Sequence, residues 1–209
     1  METWFYYFFR RLVIFSGYVI GVINNPYITY RKLSDAKSSR SHIFFIFFGV
    51  LVYFTLVSLI RSGIRNPYLL TYKFNLLTGA FLCGFAGFIS VFYLSGMFFR
   101  KNPSLKVLTV LWSYSLLPTI FWFFLTSLLY IVIPPPRTFS IPGKIFTIFF
   151  TASSIALAIW KAILYYLTLR FGMKFDLARI VFTTIFIIPL IILYSFKMYQ
   201  WGIFRIPFI

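Results

Sequence analysis

The run of sequence that decides the fold is LLTGAFLCGFAGFISVFYLSGMFF, which extends from Leu76 to Phe99 without a charged residue. A helix needs about 20 apolar residues, at about 1.5 Å each, to cross a hydrocarbon core of about 30 Å. The run is therefore long enough to span a membrane with some tilt. Four further runs meet or approach this length, and they extend from Ile43 to Ile60, Val107 to Ile133, Lys144 to Leu169 and Ala178 to Phe196.

These five runs are apolar on every side. The strands of a membrane barrel would instead alternate between apolar and polar residues. The sequence therefore predicts an all-α polytopic membrane protein, built as a bundle of five membrane-spanning helices.

The charge balance of the chain points the same way. The 209 residues include 20 Lys and Arg against three Asp and Glu, a formal net charge of +17. A nucleic-acid-binding protein would gather such charge on one solvated face. Here the basic residues lie almost entirely between the apolar runs, 61% of the chain is hydrophobic, and the mean hydropathy is +0.90. Too little polar surface remains for a soluble core, and a nucleic-acid partner is not expected.

The N-terminal segment is apolar but is interrupted by charge. Arg10 and Arg11 divide the stretch from Trp4 to Ile23 into two blocks that are each too short to span. Because adjacent arginines at mid-membrane are costly, we expect an interfacial amphipathic helix with its arginines among anionic headgroups. The alternative is a sixth span bent around the arginines. Residues 1–41 are thus predicted to form a cytoplasmic interfacial segment, and residues 42–209 the five-helix domain.

The basic residues that flank the five runs predict an orientation. Twelve lie on the side of the N-terminus and seven on the other side, so the positive-inside rule places the N-terminus in the cytoplasm and the C-terminus outside. The N-terminal residues expected to meet the membrane surface are Arg10, Arg11, Arg31 and Lys32.

One cation, Lys161, lies inside a predicted span, and none of the five spans contains Asp or Glu. An intramembrane cation marks a functional site by default and needs a partner. In the predicted orientation Lys161 is about 12 Å from the cytoplasmic end near Arg170, so its stem can carry the ammonium towards the interface. Snorkelling, or a hydrogen bond to backbone or hydroxyl groups, is favoured over a substrate site.

Few residues are suited to catalysis. His42 is the only histidine, Cys83 the only thiol, and Glu2, Asp35 and Asp176 the only carboxylates. We interpret Asp35 as local charge balance, His42 as the interfacial start of a span, and Asp176 as the N-cap of the last helix. No ligand cluster for a metal is apparent, and neither a catalytic residue nor a cofactor is predicted.

Small residues and prolines indicate how the helices pack. Small side chains at a spacing of four residues let another helix approach closely, within the bundle or, less favoured, in a dimer. Those in the second run are Gly79, Ala80, Cys83, Gly84 and Gly87. Pro118 and Pro189 are expected to kink the third and last spans, because proline frees a backbone carbonyl.

An Asn-Pro-Tyr triplet occurs at residues 25–27 and again at residues 66–68. Each triplet predicts the start of a short interfacial helix, with Pro in its first turn and the tyrosine at headgroup level.

Three short motifs resemble the Yip (Ypt/Rab-interacting protein) domain family in its prokaryotic form. They are Asn25-Pro26-Tyr27-Ile28-Thr29-Tyr30-Arg31-Lys32-Leu33, Ser113-Tyr114-Ser115-Leu116-Leu117-Pro118 and Ala158-Ile159-Trp160-Lys161. The resemblance implies a five-span bundle with a cytoplasmic N-terminus. Eukaryotic relatives are adaptors that bind prenylated GTPases, but this chain lacks their long polar N-terminal region and their acidic, aromatic Gly-Pro motif.

Together these observations predict a non-enzymatic membrane scaffold or interaction protein, in a prokaryotic plasma membrane. Expected partners are anionic membrane lipids and a membrane protein or a second copy of the chain. The alternative function is transport, a channel or the movement of lipid, which the absence of carboxylates within the spans makes less favoured.

Overall fold

A computed structural model describes residues 2–35, 40–62, 66–101, 103–132 and 141–203. Within these ranges the fold is all-α, as the sequence predicts, and contains no strand. The helices are α1 (Glu2–Asn24), α2 (Pro26–Asp35), α3 (Arg40–Ser62), α4 (Pro67–Phe98), α5 (Leu105–Tyr114), α6 (Leu117–Val132), α7 (Ile141–Leu167) and α8 (Leu177–Gln200).

Six stretches of the described helices are long and apolar enough to cross a membrane. Five of them correspond to the predicted spans, and the prediction of a multi-span helical bundle is confirmed. They are Ser41–Leu59, Pro67–Phe98, Leu105–Leu129, Gly143–Gly172 and Leu177–Gln200. The sixth stretch, Phe5–Asn24, lies in the N-terminal segment that the sequence assigns to the interface.

Helix α4 begins nine residues before the predicted span. The Asn66 side chain accepts a hydrogen bond from the Leu69 N–H at 3.3 Å, and Pro67 occupies the first turn. The second Asn-Pro-Tyr triplet therefore does start a helix, but the prediction of a separate short helix was wrong. No residue between Tyr68 and Leu76 ends the helix, so the cap and the span form one element of 32 residues.

The third span is divided at Ser115 and Leu116, just before Pro118. Pro118 has no N–H and cannot donate to the carbonyl of Tyr114. Just before it, the N–H of Leu116 donates to the carbonyl of Ser113, three residues back, at 3.0 Å. Every residue from Val110 to Thr119 is buried, so this break is enclosed by the other helices. By contrast, α8 continues without interruption through Pro189.

Helix α7 ends in one π-helical turn, Thr168–Gly172, which leads almost directly into α8. The Arg170 guanidinium donates to the carbonyl of Phe175 at 2.9 Å and lies 3.6 Å from the Asp176 carboxylate. Arg179 lies 3.7 Å from the same carboxylate. Asp176 is at the N-cap position, but its side chain makes no capping hydrogen bond. The prediction that Asp176 is the N-cap residue of the last helix is therefore confirmed, although its carboxylate lies between two arginines and does not bond to the helix N–H groups.

Helix α1 runs without a break through Arg10 and Arg11 and crosses the beginning of α3. The rings of Phe8 and Phe15 lie 5.6 and 5.2 Å from the ring of Phe45, and Tyr18 lies 5.1 Å from His42. These ring contacts extend over about 15 Å of α1, from Phe8 to Tyr18, and over about 4.5 Å of α3, from His42 to Phe45. These contacts describe a helix that crosses the end of the bundle.

Helix α2 packs inward on that same end. Its Thr29, Tyr30 and Leu33 are buried. A Cβ atom on Gly21 would lie 2.7 Å from the hydroxyl oxygen of Thr29, so α1 and α2 are in close contact where they join. The two helices therefore meet in a tight elbow at Asn25.

Candidate functional site

A cavity of about 330 Å³ lies between α4, α5, α7 and α8. Ligand sites commonly have volumes of about 300–1,000 Å³. Its walls are mostly aromatic and aliphatic, and they are formed by Phe81, Gly84, Phe85, Phe88, Trp112, Leu116, Ala158, Lys161, Ala162, Tyr165, Thr184, Ile188, Ile191 and Tyr194. Because four helices contribute to these walls, the cavity is a property of the bundle and not of any one segment.

Lys161 is the cation in the wall of this cavity. Its Nζ donates to the hydroxyl of Thr119 at 2.7 Å and lies 5.7 Å from the centre of the Trp112 ring. Of the arrangements that the sequence left open, the structure has the hydrogen bond to a hydroxyl. Among the described residues no carboxylate forms an ion pair with Lys161. The ammonium is therefore held by neutral groups alone.

Tyr194 closes the cavity on the side of α4. Its hydroxyl donates to the carbonyl of Ala80, and a Cβ atom on Gly84 would lie 2.8 Å from the tip of its ring. Gly84 is therefore needed as glycine because a side chain from α8 occupies the space beside it.

The small residues on α4 do not all face the inside of the bundle. Ala80 and Gly84 face Tyr194, whereas Cys83 is exposed and Gly79 and Gly87 have open space where a Cβ atom would be. Only one pair with a spacing of four residues thus packs within the bundle. The outward residues stay candidates for contact with lipid or with another chain.

The exposure of the wall residues indicates that the cavity opens between α7 and α8. The hydroxyls of Tyr165 and Thr184 lie 3.1 Å apart and join the two helices. Elsewhere on the rim, Ala158 and Ala162 are exposed and Ile188 is 46% exposed. Since both helices are apolar along their length, this opening faces the region that lipid would occupy.

The Yip1 domain matches residues 20–198 of the 209. The chain belongs to the Yip1 domain family. No curated protein and no solved structure matches it. Family membership and the apolar helices together indicate an integral membrane protein. Yip1 domains are generally non-enzymatic membrane proteins.

Two of the motifs behind the resemblance lie at or beside the cavity of this Yip1 domain. Ser113-Tyr114-Ser115-Leu116-Leu117-Pro118 forms the buried break of the third span, and Leu116 lines the cavity. Ala158-Ile159-Trp160-Lys161 supplies Ala158 and Lys161 to its wall. The sequence identified Lys161 as a candidate site residue because it is a cation within a span. The sequence did not identify the other residues of the site, because isolated aromatic and hydroxyl residues within spans carry no distinguishing pattern. These residues are Trp112, Thr119, Tyr165, Thr184 and Tyr194.

A second polar cluster ties α2 to the bundle. The Tyr30 hydroxyl donates to the Leu111 carbonyl at 3.2 Å, and the Thr168 hydroxyl contacts the same carbonyl at 3.5 Å. The hydroxyl oxygen of Tyr114 and the Nδ1 atom of His42 are 2.8 Å apart and form a hydrogen bond. Burial raises the pKa of Tyr30 above the usual range of tyrosine, so its hydroxyl stays protonated and acts as a donor.

His42 lies at the start of the span Ser41–Leu59, as the sequence predicts, and its side chain is buried because Phe15, Tyr18 and Tyr114 surround its ring. Asp35 ends α2 and His42 lies in α3, so the two do not share a helix. The Asp35 carboxylate accepts a hydrogen bond from the hydroxyl of Ser34 at 3.4 Å.

The four residues predicted to meet the membrane surface, Arg10, Arg11, Arg31 and Lys32, are all exposed on α1 and α2. Within the described residues no group of three His, Cys, Asp or Glu side chains could hold a metal ion. The described residues thus provide two sites for binding, which are the exposed cations at one end of the bundle and the single cation in an apolar cavity.

Proposed function

We propose that this Yip1 domain protein is a non-enzymatic membrane scaffold whose α1 and α2 lie along an anionic leaflet. The observation that carries the proposal is the way α1 crosses the beginning of α3. The aromatic contacts along about 15 Å of α1 are with His42 and Phe45, which lie three residues apart at the beginning of α3. A sixth span packed lengthwise on α3 would instead meet residues distributed along that helix.

The side chains of α1 also suit a membrane surface. Its exposed aromatics include Phe5, Tyr6 and Phe9, and both arginines are exposed beside them. At headgroup depth the aromatic rings bury apolar area, while each basic residue near an anionic leaflet contributes about 1 kcal/mol. At mid-membrane the same two arginines would be strongly unfavourable.

We also propose on which side of the membrane each terminus lies. With α1 at the surface, the N-terminus is cytoplasmic, the five spans follow, and the C-terminus is external. We propose the plasma membrane of a prokaryotic cell as the location. The exposed cations of α1 and α2 then face the cytoplasmic leaflet, where anionic lipids are available.

The test is a depth profile of α1 in the full-length protein. A Cys83→Ser background allows single cysteines to be placed at consecutive positions 6–20, spin-labelled and measured for depth in nanodiscs that contain anionic lipid. An interfacial helix gives a depth that oscillates every 3.6 residues and never reaches the bilayer centre. A span gives one maximum near Val13.

A matched scan of positions 44–57 on α3 provides the control, because that helix should give the profile of a span. If α1 and α3 give the same profile, the surface role of α1 is wrong. If α1 stays at the surface equally in neutral and anionic nanodiscs, the proposed recognition of anionic lipid is wrong.

The cavity favours a second candidate function, the movement of lipid or solute. Its opening between α7 and α8 faces the lipid region, and ligand-sized volume is present. Proteoliposomes tested for lipid and solute flux separate the two functions. A scaffold gives the flux of empty liposomes, whereas a transporting or lipid-moving protein gives flux that rises with protein content.

A further inference from the structure

We propose that the cavity between α4, α5, α7 and α8 binds a fatty acid, with the carboxylate at Lys161 and the chain extending through the opening between α7 and α8. The inference is independent of the surface role of α1. It rests on three features of the cavity: its unbalanced cation, its apolar walls and its route to lipid.

The cation needs an anion. None of the six candidate spans contains Asp or Glu, so no side chain within the membrane region can neutralise Lys161. Its ammonium has three N–H groups, of which the Thr119 hydroxyl accepts one, and the Trp112 ring lies on one side. A donor remains for a further acceptor. A charge in a low-dielectric environment is stabilised most by an opposite charge that also accepts its hydrogen bond.

The charge balance favours a carboxylate over a phosphate monoester. Lys161 is the only ionised side chain in the cavity wall, so it balances one negative charge. A phosphate monoester carries about −1.5 to −2 at neutral pH. It would leave an excess negative charge among Phe85, Phe88 and Trp112, whereas a fatty-acid carboxylate leaves none.

The remaining walls fit an acyl chain. Away from Lys161, the hydroxyl of Tyr194 is bonded to Ala80 and those of Tyr165 and Thr184 to each other. The rest of the surface is aromatic and aliphatic. The side chains of Ala158 and Ala162 are small and do not obstruct the opening on the side of α7. An acyl chain longer than the cavity can therefore extend past them into the bilayer.

The experiment measures saturable binding of radiolabelled dodecanoate to the full-length protein in phosphatidylcholine nanodiscs, with empty nanodiscs subtracted. Dodecanol and dodecyl phosphate compete as ligands of equal chain length with a neutral and a phosphate head. We expect dodecanoate to bind saturably and both competitors to be at least about tenfold weaker.

Lys161→Met is expected to weaken dodecanoate binding at least about tenfold. Lys144→Met is the matched control, because Lys144 is an exposed lysine of the same helix away from the cavity, and it should bind as the wild type does. Ala162→Leu keeps the cation but fills the rim and should also weaken binding, which provides a test should Lys161→Met fail to fold.

Three results would overturn the proposal. The first is dodecanoate binding that neither Lys161→Met nor Ala162→Leu reduces. The second is equal binding of dodecanol, which would mean that the cavity takes any apolar chain. The third is tighter binding of dodecyl phosphate, which would assign the cavity to a phosphorylated lipid.

Discussion

Replacement of Gly84 by leucine should destabilise the bundle through Tyr194. A Cβ atom at position 84 would lie 2.8 Å from both the Cζ atom and the hydroxyl oxygen of Tyr194. The ring tip must therefore move, and its hydrogen bond to the Ala80 carbonyl is lost at a cost of about 0.5–1.5 kcal/mol. The rest of the leucine side chain overpacks the same space, which costs about 1–3 kcal/mol.

The expected loss is thus about 2–4 kcal/mol, or about 5–15 °C in Tm at the roughly 2–4 °C per kcal/mol of a chain this long. Thermal unfolding followed by tryptophan fluorescence in dodecyl maltoside measures it. Gly87→Leu is the matched control, because a Cβ atom there meets nothing within 4 Å. Its Tm should change little.

A double variant tests the cause. With Tyr194→Ala in place, the leucine at position 84 meets no ring, so the double variant should lose less stability than the sum of the single variants. Equal Tm values for Gly84→Leu and Gly87→Leu, or strictly additive losses in the double variant, would refute the contact as the source of destabilisation.

Three further predictions concern the end of the bundle that carries α1 and α2. Tyr114→Phe leaves the imidazole of buried His42 without its partner and should lower stability by about 0.6–2 kcal/mol, measured by thermal unfolding with the exposed Tyr72→Phe as control. Arg10→Leu with Arg11→Leu should move spin labels on α1 deeper into the bilayer, whereas Lys substitutions at both positions should leave them at the surface. Reporter fusions should find the N-terminus in the cytoplasm and the C-terminus outside; both ends on one side would contradict five spans.

The helical bundle was predictable from sequence because every residue of an apolar run contributes to the signal. About 20 residues without charge are needed to cross a membrane, and five runs meet or approach that length. The beginning of α4 was less predictable. Asn66 and Pro67 start a helix equally well whether it ends after a few residues or continues into the span, and only the absence of a later stop distinguishes the two outcomes.

The candidate site was only partly predictable, since it depends on which faces of separate helices meet. The pairs Ala80 with Gly84 and Cys83 with Gly87 have identical spacing on α4. Ala80 and Gly84 contact Tyr194 of α8, whereas Cys83 is exposed and a Cβ atom on Gly87 would meet nothing within 4 Å. Nothing in the spacing selects one pair. Lys161 was recognisable because a cation within a span is rare, but its partner Thr119 is a common kind of residue 42 positions away.

The hydrogen bond between Tyr30 and the carbonyl of Leu111 joins residues 81 positions apart, which has a consequence for biosynthesis. At a translation rate of about 5–20 residues per second, roughly 4–16 s pass between the synthesis of Tyr30 and that of its acceptor. During this interval α2 lacks the carbonyl to which Tyr30 donates. If α1 and α2 lie along the cytoplasmic leaflet as proposed, that leaflet can hold them until Leu111 has been made.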